Sequence, residues 1–142
     1  MPENDFYTSF SKATWDEFKT DQRPGPVQMM NLIRLRGQAE YSDGSVSTGK
    51  LAYRRYSDMS APIFKRLGGT IIWRGEHELT MVGPTSEVWD ISFIAEYPDV
   101  QAFMRMMKDP TYRSAMIHRQ AAVLDSRLVR FQFCASGQSF AG

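Results

Sequence analysis

Val27-Gln28-Met29-Met30-Asn31-Leu32-Ile33-Arg34-Leu35 alternates like a β-strand, yet both of its faces are mostly apolar. Val27, Met29, Asn31, Ile33 and Leu35 fall on one side of the extended chain; Gln28, Met30, Leu32 and Arg34 fall on the other. Such a strand is covered twice, by helices on one face and by another sheet or subunit on the other.

Downstream, residues 37–48 form a polar loop around Ser42-Asp43-Gly44-Ser45, followed by a helix over 49–67 in which Ala52, Tyr56, Met59, Ile63 and Leu67 recur at helical steps. Pro62 removes one backbone donor inside that helix and is expected to kink or divide it. Gly68-Gly69 ends it. Residues 70–74 read as a second strand, with Gly75 as a bend before strand character resumes over 79–82. After the turn Gly83-Pro84-Thr85-Ser86, residues 88–95 read as a third strand, with Trp89, Ile91, Phe93 and Ala95 opposite Val88, Asp90, Ser92 and Ile94. Pro98 is placed at the first position of a helix carrying Val100, Phe103, Met104 and Met107. Asp109-Pro110 stops it and caps a second helix, packed through Tyr112, Ala115 and Met116. Residues 127–133 are the last strand, and 135–142 a frayed tail.

Upstream, Arg23-Pro24-Gly25-Pro26 separates residues 1–25 from the domain at 26–134. The extension holds a short helix, for which Thr14-Trp15-Asp16-Glu17 has capping-box order with Thr14 as N-cap. Alone it is too short to be stable, so it docks on the domain's sheet edge or on a partner subunit.

The order strand, helix, two strands, helix, strand is a split βαβ arrangement, an α+β fold with a four-stranded antiparallel sheet covered by helices on one face. Its other face keeps many apolar residues, which predicts a homodimer with the two sheets packed face to face.

The composition agrees with one globular domain: 142 residues, 42% hydrophobic and 23% charged. Seventeen basic against sixteen acidic residues give a formal charge of +1, which argues against nucleic-acid or anionic-membrane partners; Arg34, Arg36, Arg54 and Arg55 are local exceptions. One cysteine, Cys134, forms no internal disulfide, and Glu3 and Asp5 stand where a secretion signal is basic and then apolar. These features predict a cytosolic protein. No apolar stretch approaches the roughly 20 residues that span a bilayer.

No phosphate loop, dinucleotide fingerprint, nucleophile elbow or zinc-protease motif occurs; His77-Glu78 lacks a second histidine. Neither a metal nor a cofactor is expected. Polar groups inside apolar elements carry more information, because their burial costs free energy unless they are paired or bind something. Asn31, Asp90 and His118 are such groups. Asn31 bonds neighbouring backbone or a ligand; Asp90 is an acid or base, or an ion-pair partner of Arg34, Arg119 or Arg127. His118 shuttles a proton, ligates haem or bonds a carboxylate. Tyr53, Trp73 and Trp89 are candidates for an aromatic pocket, with Arg34 beside them and Arg119 holding a carboxylate or carbonyl.

Met30-Asn31-Leu32, Tyr53-Arg54-Arg55-Tyr56 with Pro62, Gly68-Gly69, Trp73-Arg74-Gly75, Trp89-Asp90, Asp109-Pro110, His118-Arg119 and Asp125-Ser126-Arg127 together resemble an uncharacterised domain family of the dimeric α/β-barrel superfamily. The resemblance spans residues 26–133 and implies a ferredoxin-like protomer, a barrel formed by two sheets in a homodimer, and a cavity between sheet and helices. It implies no fixed reaction: the superfamily includes cofactor-independent monooxygenases, isomerases and haem-degrading enzymes. Asn31, Trp89 and His118 match the residue types used by the last of these, which makes a haem-binding or haem-degrading protein the weaker alternative that the resemblance implies.

Three readings therefore stand. The first is a homodimeric small-molecule-binding protein with cofactor-free chemistry on an aromatic or carbonyl-bearing metabolite, in which Asp90 or His118 moves a proton and Asn31 and Arg119 polarise an oxygen. The second is a binding module without chemistry. The third is an interaction protein assembled through the N-terminal helix.

Overall fold

In the computed structural model, which describes residues 6–21 and 23–142, the doubly apolar run lies in the middle of the sheet. The elements follow as α1 (Lys12–Thr20), β1 (Val27–Leu35), α2 (Gly49–Arg66), β2 (Thr70–Gly75), β3 (Ile91–Tyr97), α3 (Val100–Lys108), α4 (Pro110–Ala122) and β4 (Val123–Phe131). β1 pairs antiparallel with β3, where Asn31 faces Phe93, and with β4, where Asn31 faces Leu128. β2 completes the order β2-β3-β1-β4. This is the ferredoxin-like βαββαβ fold with a four-stranded antiparallel sheet, preceded by a short helix.

Val27, Met29, Ala95 and Tyr97 of the sheet bury against Ile63 of α2, Phe103 and Met106 of α3 and Tyr112 of α4. A second cluster joins Ile33 and Val123 to Ala52, Tyr53, Ala121 and Ala122. Between the two clusters Asn31 interrupts the apolar alternation of β1. Gly49 begins α2 where the chain passes close to Arg36: an added Cβ would stand 1.9 Å from the Arg36 carbonyl oxygen. That approach requires glycine, whereas Gly68 is required by its φ of +85° at the end of α2.

Several element boundaries differ from expectation. Ser11, not Thr14, caps α1; its hydroxyl accepts from the Thr14 N–H at 3.1 Å, which adds a helical turn before the expected start. α2 continues through Pro62, whose lost donor costs one bond without dividing the helix. Asp99 caps α3 and leaves Pro98 outside it. Residues 79–82 form no strand: Leu79, Met81 and Val82 are 73%, 83% and 96% exposed, and Gly83 has a φ of +141°. β3 begins at Ile91 rather than 88, and β4 begins directly after α4 at Val123 rather than 127. Asp125-Ser126 therefore lies within the strand, buried, although its polarity resembles a turn.

The sheet face away from the helices carries Met30, Leu32, Ile94 and Val129, with Trp73 and Phe131. Trp73, Val129 and Phe131 are 48%, 44% and 51% exposed. No helix among the described residues is long and apolar enough to cross a membrane.

Candidate functional site

A cavity of about 470 Å³ lies between the helix-facing side of the sheet and the helices. Its floor is Asn31, Phe93 and Leu128, which the strand register sets side by side. Tyr56 enters from α2; Phe103 and Met106 enter from α3; Tyr112, Met116 and Arg119 enter from α4. Residues 7–11 and Thr14 close the remaining side. The walls are thus mainly aromatic and thioether surface, with a few polar groups set into them.

Arg119 is the principal charge. Its Nη1 donates to the Thr8 carbonyl at 3.1 Å, and no carboxylate among the described residues pairs with it. Arg127, which also reaches the cavity, is different: it donates to Asp125 at 2.8 Å, reaches Glu87 at 3.4 Å and stacks over the Tyr7 and Trp89 rings. One cation is thus neutralised within the protein, and the other faces the cavity. Tyr56 and Tyr112 share a hydroxyl bond of 2.8 Å. Burial pushes the Tyr112 phenol well above its ordinary value, reinforced by Tyr56 and opposed by the charge of Arg119. Tyr112 therefore stays neutral and able to donate throughout the physiological range. Asn31 donates from Nδ2 to the Met29 carbonyl at 3.1 Å, so its expected bond to neighbouring backbone and its place on the cavity wall coexist.

Of the residues singled out from sequence, the structure brings only Asn31 and Arg119 to this cavity. Asp90 is exposed just before β3, where its carboxylate accepts from the Leu35 N–H at 2.7 Å and extends the strand pairing; none of its expected arginine partners bonds it. His118 points to the other side of α4, its Nδ1 2.6 Å from the Tyr41 hydroxyl rather than from a carboxylate. Tyr53 is buried in the second core cluster, and burial, then Tyr56, raises its phenol despite the nearby charge of Arg119. Trp73 lies half exposed on the opposite sheet face, Arg34 bonds the Ser86 carbonyl at 3.3 Å, and Trp89 packs beneath Arg127. The expected pocket of Tyr53, Trp73 and Trp89 is therefore not assembled.

Tyr56, Tyr112 and the N-terminal wall escaped sequence reasoning as site residues. Tyr56 and Tyr112 sit on the packing stripes of their helices, and only their shared hydroxyl bond distinguishes them from core. Among the described residues no group of three or more His, Cys, Asp and Glu side chains is placed to hold a metal.

Comparison with known proteins places these residues in a family. Residues 46–130 match the model of a domain of unknown function, DUF1330. The RPA0582 protein of Rhodopseudomonas palustris, of unknown function, is 46% identical over 93% of this chain and 100% of its own, with a TM-score of 0.90. A methylated form of RPA0582 is 47% identical over 94% and 98%, with a TM-score of 0.92. A dimeric protein of unknown function and ferredoxin-like fold from Bacteroides fragilis is 17% identical over 77% and 97%, with a TM-score of 0.49. No curated protein matches. The chain belongs to the DUF1330 family.

Proposed function

We propose that this member of the family binds an amphipathic small molecule in the cavity: an aromatic or otherwise flat body carrying a carboxylate or a comparably polarised oxygen. The observation that carries this reading is Arg119, half buried among aromatic walls with one carbonyl as its hydrogen-bond acceptor. A guanidinium removed from bulk water and left without a carboxylate is stabilised by an anionic or strongly polarised ligand oxygen. Asn31 and the Tyr56–Tyr112 pair add neutral donors on other walls, while Phe93, Phe103 and Met106 take the apolar body. Asp90 and His118, lying elsewhere, are not part of this site.

The same donors supply what a cofactor-free reaction through an enolate or phenolate would need, which keeps an enzymatic role within the proposal. A panel of aromatic carboxylates and phenols, tested by thermal shift and calorimetry and incubated with oxygen, separates the two. Saturable binding with a product supports an enzyme, and binding without product supports a carrier or sensor. Absence of saturable binding across the panel contradicts the reading.

We further infer that two copies pair through the sheet face that no helix covers. Met30, Leu32, Ile94 and Val129 form a contiguous apolar surface there, flanked by Trp73 and Phe131. Pairing would remove it from water and leave both cavities on the outer sides.

A further inference from the structure

The wall formed by residues 7–14 is attached differently from the rest of the cavity. At its start, Tyr7 donates its N–H to Asp125 at 2.9 Å, and the Ser126 hydroxyl donates to the Tyr7 carbonyl at 2.7 Å. Next, the Thr8 carbonyl accepts from Arg119, the same group that faces the cavity. Farther on, Phe10 stacks on Trp15 at 5.4 Å, Trp15 on Phe18 at 5.8 Å, and Phe18 meets the edge of Phe103 at 5.1 Å. Asp21 and Phe18 together receive Arg130.

Phe10 also meets Phe103 at 6.2 Å and Arg127 stacks over Tyr7, so the segment is held by ring contacts and single polar bonds at its surface rather than by buried side chains or a hydrogen-bonded ladder. α1 has nine residues and buries none of them, so it holds its shape only while docked. β1, by contrast, is hydrogen-bonded along both edges and contains the fully buried Val27 and Ile33. The segment joins β1 through Pro24-Gly25-Pro26, where Gly25 has a φ of +90° and no atom within 4 Å of where a Cβ would stand. A glycine in open space between two stiff residues is a place where the chain can turn without disturbing the core.

We infer that residues 6–21 form a hinged cover, which swings about Gly25 to admit the ligand and is held down by it once bound. The inference rests on the reading of the cavity as a ligand site. In the closed state Tyr7, Phe10 and Thr14 supply one wall, so the binding surface is incomplete without the cover. Arg119 links the two events: its guanidinium has five donors, one of which holds Thr8, leaving others for a ligand oxygen. A ligand bridging Arg119 and the cover stabilises the closed state, because it contacts more protein there than in the open one.

Hydrogen exchange on the full-length protein tests this, with 1-naphthoate as the aromatic carboxylate probe. Without probe, the amides of residues 6–20 should exchange at least about tenfold faster than those of β1, by local opening rather than global unfolding. Phe18→Ala, outside the cavity wall, removes the contact with Phe103 and should speed the exchange of the cover by about another tenfold, leaving β1 unchanged. Saturating 1-naphthoate should slow exchange of the cover in the native protein.

Equal exchange of residues 6–20 and β1 would overturn the hinged cover. So would probe binding, measured by calorimetry, that leaves exchange of the cover unaltered, although the cavity reading would survive that result. If 1-naphthoate binds neither the native protein nor the Phe18→Ala variant, the probe-held closure is overturned, while the cavity reading is decided by the wider panel and the separate opening by the rates without probe.

Discussion

The hydroxyl oxygens of Tyr56 and Tyr112 lie 2.8 Å apart, joining α2 to α4 at the cavity wall. The rings meet edge to face at 5.9 Å, so the pair is both packing and polar surface. Each phenol satisfies the other while a hydroxyl proton remains available to turn toward a ligand.

Tyr56→Phe and Tyr112→Phe should each destabilise the fold by about 1 kcal/mol, because one hydroxyl loses its partner. The double variant should lose less than the sum of the two. Urea unfolding of the four proteins gives the coupling, and strict additivity would mean that the hydroxyl bond contributes nothing.

Alkaline pH tests the same region. Burial raises the phenols of Tyr53, Tyr97 and Tyr112 above the ordinary value of 10.0. Below pH 10 folded and unfolded chains carry the same phenolic protons, and the contribution of these groups is complete. Above it, the unfolded chain releases protons that the folded one retains, so stability falls as pH rises. Tyr112→Phe should make the loss of stability above pH 10 less steep, read by urea unfolding at successive pH values; an unchanged slope would argue against this linkage.

Acid acts in the opposite direction. The N–H of Tyr112 bonded to Asp109, aided by Arg66, lowers that carboxyl below its ordinary 3.8, and the N–H of Arg23, aided by Arg130, does the same for Asp21. Their stabilisation is present above the unfolded value and disappears as pH falls through the lowered folded values. Asp109→Asn should therefore flatten the loss of melting temperature below pH 4. A decline as steep as in the native protein would contradict this.

The alternation of 27–35, the caps at Asp109 and Gly68 and the order of elements were enough to specify the ferredoxin-like sheet, because each rests on local periodicity or backbone chemistry. Asn31 was legible as a polar group inside an apolar strand, and Arg119 as a cation able to hold a ligand oxygen. Asp90 misled because a carboxylate in an alternating run looks buried when the run is taken to start at 88; it is in fact exposed, supplementing the pairing of β1. Trp73 and Tyr53 misled because alternation and helical periodicity assign a face but not the partner across it. The cavity wall from residues 7–14 had no signal in the sequence, since it depends on where a short helix docks.

The apolar sheet face predicts its own test. Val129→Asp with Phe131→Glu places two charges on side chains that are 44% and 51% exposed in the single chain. Native mass spectrometry should show a dimer for the native protein and a monomer for the variant, with circular dichroism unchanged. A variant that remains dimeric would move the interface elsewhere.

The most direct test of the account is calorimetric titration of 1-naphthoate into the native protein and Arg119→Met. Saturable binding at one site per chain, weakened about 10- to 100-fold by the loss of the guanidinium, is the predicted result. Equal affinity in both proteins would contradict the claim that Arg119 holds the ligand's oxygen in this cavity.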